Sequence, residues 1–359
     1  MWRFLCLFPK KKWSIYRKII VCLTSLIGIF ILIAGSYLGF LHHKAMSAVH
    51  KIAASDYYAP QQRETTEAVL QAETEDVTED DMKPMTILLA GTDSREGSGG
   101  TMNTDVMMLV TLNPATKSAS LLSIPRDLKI TPPGRSSHKA NYFYAHNYIQ
   151  NKATAMTETK EFFSDLFHIP IDYMVLINFD GFRQAVDAVG GVDVDVDMEM
   201  HYIDTADGTH IDLSKGFQHL DGQKTLDFVR YRKSNDGSSP SSDFDRNKRQ
   251  QEVLNQMLDK LTSLNGIGQW GNILDIVGDN VKTDIPEKRL KRWLLNFNKM
   301  KPDATNLLTV EGNWKSPFVY WNKDDLEKAM ETMYSTLDMK PKNYDLGRYI
   351  GLYTKSKQK

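Results

Sequence analysis

The sequence predicts an α/β domain preceded by one transmembrane helix. Three observations lead there: an uncharged apolar run near the N-terminus, short apolar runs bounded by turn residues, and helix-period segments that interleave with those runs without any internal repeat.

Residues 19–41 carry no charge and are rich in Ile, Leu, Val, Gly and Phe. As a helix this run is about 34 Å long, enough to cross a hydrocarbon core with slight tilt. The preceding segment, residues 1–18, is basic, with Arg3, Lys10, Lys11, Lys12, Arg17 and Lys18. The positive-inside rule keeps that segment cytoplasmic and puts the C-terminal part outside the cell membrane. His42, His43 and Lys44 follow the run in place of a small-residue cleavage site, so an uncleaved signal-anchor is expected. Residues 42–83 are expected to form an extracytoplasmic stalk, acidic and solvated over 61–81, where Glu73, Glu75, Asp76, Glu79, Asp80 and Asp81 cluster.

The folded domain is placed at residues 84–338. Strands are expected at 86–90, 106–112, 118–124 and 173–177, the second and third joined by the Asn113-Pro114 turn. A helix follows from Asp180, its expected cap, to Gly190-Gly191. Apolar residues alternate with acids over 192–200, as in a half-exposed strand. A long helix is expected at 246–264, a further one after the capping-box-like Asp284-Ile285-Pro286-Glu287, and a last one from Asn322 to near Leu337. The basic tail, 339–359, is expected to be loose.

Composition excludes several classes of function. The net charge of −1 does not suit a nucleic-acid binder. Both cysteines, Cys6 and Cys22, precede the domain, which therefore has no disulfide, thiol nucleophile or cysteine zinc site. An extracytoplasmic domain without disulfides fits a Gram-positive bacterium.

Charged groups gather at three turns. Gly91-Thr92-Asp93-Ser94-Arg95 closes the first strand, and Asn103-Thr104-Asp105 opens the next. Asp93 and Asp105 could share a hard cation such as Mg²⁺, or begin an Asx-turn and a strand without metal. Ser123-Ile124-Pro125-Arg126-Asp127 sets Arg126 at a rigid strand end, fit to meet a phosphate bidentately; the alternative is a surface pair of Arg126 with Asp127. In Phe228-Val229-Arg230-Tyr231-Arg232, a strand would put Arg230 and Arg232 on one face. After Asp243-Phe244-Asp245, a helix would stack Arg246 on Gln250 with Arg249 beside them. Converging arginines suggest a pyrophosphate or polyanion, a solvated basic face being the alternative.

Taken together, the segments GTDSR, NTDVMMLVTLNP, LLSIPRDLKI, HKANYFYAH, INFDGFRQAVDAVGGVDVDV, LDGQKTLDFVRYRK and DFDRNKRQQEVL resemble the LytR-CpsA-Psr family of cell-wall enzymes, densely over residues 84–260. The resemblance implies a central mixed β-sheet flanked by helices, with an apolar channel for a prenyl tail. It also implies a phosphotransferase moving a phosphoglycosyl polymer (wall teichoic acid, capsule or a related polysaccharide) from an undecaprenyl-pyrophosphate carrier to peptidoglycan, with Mg²⁺ or Mn²⁺ as cofactor. By motif position Asp93 and Asp105 match the metal-linked catalytic acids. Arg95, Arg126, Arg230, Arg232, Arg246, Arg249 and Gln250 match the pyrophosphate-binding set, Arg126 also counting as catalytic. Lys139 and Asn141 match a segment near the site. The chain departs from the family at Asn103, where Arg is common, and at Asp245, where Gly is common. A polyprenyl-pyrophosphate hydrolase and a non-catalytic envelope regulator are the alternative functions. The short cytoplasmic segment cannot fold into a DNA-binding domain, and retention of both acids favours an enzyme.

Overall fold

The computed structural model describes residues 35–53, 76–92, 102–205, 208–241, 243–262, 270–341 and 345–354. Among these residues, no helix is long and apolar enough to cross a membrane. Residues 1–18 and residues 19–34 of the expected span lie outside them.

The centre is a six-stranded mixed sheet built from β1 (Met85–Thr92), β2 (Thr104–Asn113), β3 (Ser118–Ser123), β6 (Tyr173–Asn178), β11 (Val281–Thr283) and β12 (Ala304–Leu308), in the order β11-β6-β1-β2-β3-β12. Pairing is antiparallel for β1–β2, β2–β3 and β6–β11, and parallel for β1–β6 and β3–β12. Leu88, Leu109 and Leu122 form one cross-strand row, and each is fully buried. Their face meets α2 (Tyr142–Gln150), α3 (Ala155–Phe167) and α10 (Lys323–Thr336) through Phe143, Phe163, Phe167, Met330 and Met333. The opposite face, including Ile87, Leu89, Met108, Val110, Leu121 and Val175, is apolar yet only half-buried.

A second core joins α4 (Phe179–Ala188), β7 (Val192–Val196), β8 (Met200–Asp204), β9 (Thr209–Leu213), β10 (Gly216–Leu220), α5 (Gly222–Arg230) and α6 (Asp243–Thr262). Helices α4 and α5 approach so closely that a Cβ on Gly222 would stand 2.8 Å from the Arg183 carbonyl carbon. Only glycine allows this approach.

Several expectations are corrected. The cap of α4 is Asn178, whose side chain accepts from Gly181 N at 2.7 Å, and not Asp180. Asp284 does not cap α8 (Glu287–Leu295); it accepts from Met174 N at 2.8 Å and so ties the helix approach to β6. Within the acidic segment, Asp81 is fully buried, gripped by Arg289, Arg292 and Trp293. Burial pushes its carboxyl up, but Arg292 and Thr78 more than offset this and hold it at about 2. Residues 35–53 form helix α1, which sets Ala48 against α7 (Trp270–Asn280), with Lys44 paired to Asp275 and Lys51 to Asp279. In the tail, Ile350 is buried and β15 (Leu352–Tyr353) pairs with β14 (Phe318–Asn322), because Trp321 N donates to Gly351 O.

Gly222→Ala should destabilise the domain by about 1–3 kcal/mol, since the added methyl overlaps a helix backbone that cannot recede alone. A lowered urea midpoint at unchanged slope would show it; an unchanged midpoint would mean that α4 and α5 part freely.

Candidate active site

The sheet edge gathers the charges. At the start of β2 the register slips: Gly91 faces Val106 and Thr92 faces Thr104, leaving Asp105 as the extra residue of a β-bulge. Bulges re-aim a side chain out of the regular alternation. Asp105 Oδ1 accepts from Arg126 Nη1 at 2.7 Å, and Oδ2 lies 3.5 Å from Arg230 Nη2. Arg126 stands in the turn after β3, with its carbonyl held by Asn141 N at 3.0 Å.

Beside it, Asp127 is only 3% exposed and serves three cations. Arg232 Nη1 donates to Oδ2 at 2.7 Å, Lys139 Nζ lies 2.9 Å from Oδ1, and Arg126 Nε lies 3.6 Å away. Burial pushes the Asp127 carboxyl up, but Arg232, Lys139 and Arg126 together bring it below the usual range. This residue, set aside in the sequence as half of a surface pair, is the hub of the cluster. No local signal reveals it, because Arg232 comes 105 positions later.

Residues 228–232 do not form the strand in which Arg230 and Arg232 would share a face. Helix α5, capped by Asp221, runs to Arg230, and buried Tyr231 anchors the turn by its hydroxyl to Ser239 O at 2.9 Å. Arg230 and Arg232 therefore flank an anchored residue and reach Asp105 and Asp127 respectively. Arg246, on α6, joins them electrostatically. Burial, then repulsion from Arg232 and later Arg126, lowers its guanidinium to about 9. Arg232 is lowered by burial and then by Arg126. Arg249 turns inward instead, donating to the carbonyls of Phe228 and Tyr231 at 3.2 and 3.3 Å. Gln250 lies beside them; its amide nitrogen is 3.5 Å from Val229 O, and its buried Oε1 has no hydrogen-bond partner among the described residues. Asp93 and Arg95 lie outside the described residues. Asp245, at the position where the family commonly has Gly, acts on Arg249.

Five cations (Arg126, Lys139, Arg230, Arg232, Arg246) thus surround two carboxylates, Asp105 and Asp127. The like charges repel one another, and a bound anion would relieve that repulsion. For a hard cation, Asp105 supplies carboxylate oxygen, and the adjoining buried Thr104 hydroxyl has no hydrogen-bond partner among the described residues. Both donor types fit Mg²⁺, although no group of three or more acidic, His or Cys ligands occurs among the described residues.

The model of the LytR_cpsA_psr family matches residues 45–339. The chain belongs to the LytR-CpsA-Psr family. This LytR-CpsA-Psr chain is 32% identical over 270 residues to the polyisoprenyl-teichoic acid–peptidoglycan teichoic acid transferase TagU of Bacillus licheniformis, covering 75% of this chain and 78% of that protein. The crystal structure of Bacillus subtilis TagV aligns with a TM-score of 0.52 at 30% identity, over 72% of this chain and 99% of TagV. A structure of TagT bound to LI-WTA aligns with a TM-score of 0.52 at 25% identity, over 75% of this chain and 96% of TagT.

Two outcomes follow from the electrostatics. Inorganic pyrophosphate at saturation should raise the melting temperature by about 5 °C, and Arg232→Ala should abolish the rise; a melting curve indifferent to pyrophosphate would remove the anion site. Asp227, next to Arg230, is raised to about 6 from 3.8 by burial, only partly offset by Gln223 and Arg230. The unfolded chain therefore releases this proton first, and the wild type loses up to about 3 kcal/mol as pH rises from about 4 to 6. Asp227→Asn should remove that slope, measurable by urea melts at several pH values.

Proposed function

We propose that this transferase moves a phosphoglycosyl polymer, such as wall teichoic acid, from an undecaprenyl-pyrophosphate carrier to a peptidoglycan hydroxyl. The observation that carries the reading is the excess of fixed cations around Asp105 and Asp127 at the sheet edge. Arg126, Arg230, Arg232 and Arg246 hold the pyrophosphate and neutralise charge on its non-bridging oxygens as phosphoryl transfer proceeds. The acceptor oxygen bonds to the sugar-side phosphorus, the bond to the prenyl phosphate breaks, and the arginines stabilise the leaving phosphate. Asp105 takes the hydroxyl proton. Its Oδ1 is held by Arg126 at 2.7 Å, whereas among the described residues Oδ2 has the longer 3.5 Å contact with Arg230 and is the freer acceptor. Asp105, with Asp93, would hold Mg²⁺ or Mn²⁺, which would add further charge neutralisation at the phosphate.

The names of the TagU relatives support teichoic acid and peptidoglycan as partners. The half-buried apolar face of the sheet supports a prenyl carrier: Leu89, Met108 and Val110 adjoin one another across β1 and β2, and Met108 lies two residues from Val106 at the bulge. The site then sits outside the cell membrane, anchored by the span expected at residues 19–41.

With full-length protein, prenyl-pyrophosphate-linked oligosaccharide and peptidoglycan fragments, Arg126→Ala and Asp105→Asn should each lower phosphodiester formation at least about 100-fold. Their melting temperatures should stay near that of the wild type. Full activity in either variant would remove it from the mechanism.

A further inference from the structure

A cavity of about 360 Å³, bordered by Arg230, opens between α4, α5 and the β8–β9 hairpin. Pockets that take small organic molecules start at about 300 Å³, so this one suits a single sugar-sized ring. Its lining is of two kinds. Phe179 and Leu226 are buried and offer apolar surface. Against them stands a continuous polar ladder that crosses between the helices. Arg183 pairs with Asp180 and donates from Nη1 to Gln223 Oε1 at 2.7 Å; Gln223 Nε2 donates to Asp227 Oδ1 at 3.0 Å. Arg230 lies one turn further along α5, with its guanidinium 4.8 Å from the centre of the Phe179 ring and 3.5 Å from Asp105 Oδ2. The same arginine therefore borders both the cavity and the reacting carboxylate.

The charge pattern decides what the cavity takes. Asp180 and Asp227 balance Arg183 and Arg230 in its lining, unlike the cation excess around Asp127. A second phosphate would meet two carboxylates at close range, whereas hydroxyls and ring oxygens can donate to the acids and accept from the guanidiniums. Apolar surface beneath such a fan of donors and acceptors suits the two faces of a pyranose. The contact of Gly222 with the Arg183 backbone fixes the spacing of α4 and α5, so the ladder is in place before any ligand arrives.

We propose that this cavity is a sugar subsite holding the pyranose next to the reacting phosphate, with Arg183 and Gln223 as specificity-determining residues. The subsite rests on the transferase reading above, and either the donor's first sugar or the acceptor's sugar has the required chemistry.

The test is calorimetric titration of full-length protein in detergent with three probes: a muramic-acid-containing disaccharide, a short-chain prenyl-pyrophosphate-linked sugar, and inorganic pyrophosphate. Wild type, Arg183→Ala and Gln223→Ala are compared. The expected result is a dissociation constant at least tenfold higher in both variants for one sugar probe, with pyrophosphate binding unchanged. The affected probe identifies the sugar as acceptor or donor, and KM for that substrate should rise in step while kcat holds. Unchanged affinity for both sugars in the folded variants, or failure of the wild type to bind either sugar, would overturn the subsite. A wild type that binds sugar as expected yet forms no phosphodiester would overturn the transferase reading and leave the subsite standing.

Discussion

Holding Arg126, Arg232 and Lys139 around one point requires a negative charge sheltered from water, and the Asp127 carboxylate provides it. Burial alone would drive that carboxyl toward its neutral form; three cations reverse the tendency. The arrangement works in both directions. The carboxylate keeps like charges from splaying apart, and the cations make its burial tolerable. Arg230 reaches the second carboxylate, Asp105, and Arg246 adds a further positive charge to the cluster. The site is thereby short of anions before substrate arrives, and an anionic ligand relieves repulsion that the fold sustains.

The rest of the fold serves this placement. A bulge turns Asp105 out of the alternation of β2, toward Arg126 and Arg230. The buried ring of Tyr231 fixes the turn from which the two neighbouring arginines diverge. Arg249, three residues after Arg246 on the same helix, lies under this turn and satisfies its carbonyls. Its contribution is to shape the cluster from below.

How much of this was legible varies by kind. Strands β1, β2, β3 and β6 of the central sheet and the helices α4, α6 and α10 follow from period and turn residues, whereas the edge strands β11 and β12 were not expected. Residues 228–232 did not follow in this way, because the two-residue apolar run Phe228-Val229, set between Asp227 and Arg230, has no period of its own. There the cap at Asp221 and burial of Leu226, Phe228 and Val229 favour the helix. Asp81 was read with the acids around it, and nothing local distinguishes it; Arg289 and Arg292 come more than two hundred positions later. The C-terminal tail looked loose for the same reason, its partner strand lying far back along the chain.

The sequence by itself determined which groups are available: the arginines, the acids at strand ends, the apolar periods and the motifs that carry the family resemblance. Local physics suffices for these, since strand and helix periods act over a few residues. Only the tertiary structure decided which charges share a partner, which arginine faces inward, and that Asp127 is a hub and not half of a surface pair. Those outcomes depend on burial and on contacts between distant segments, and an ionic group's role is set by what surrounds it.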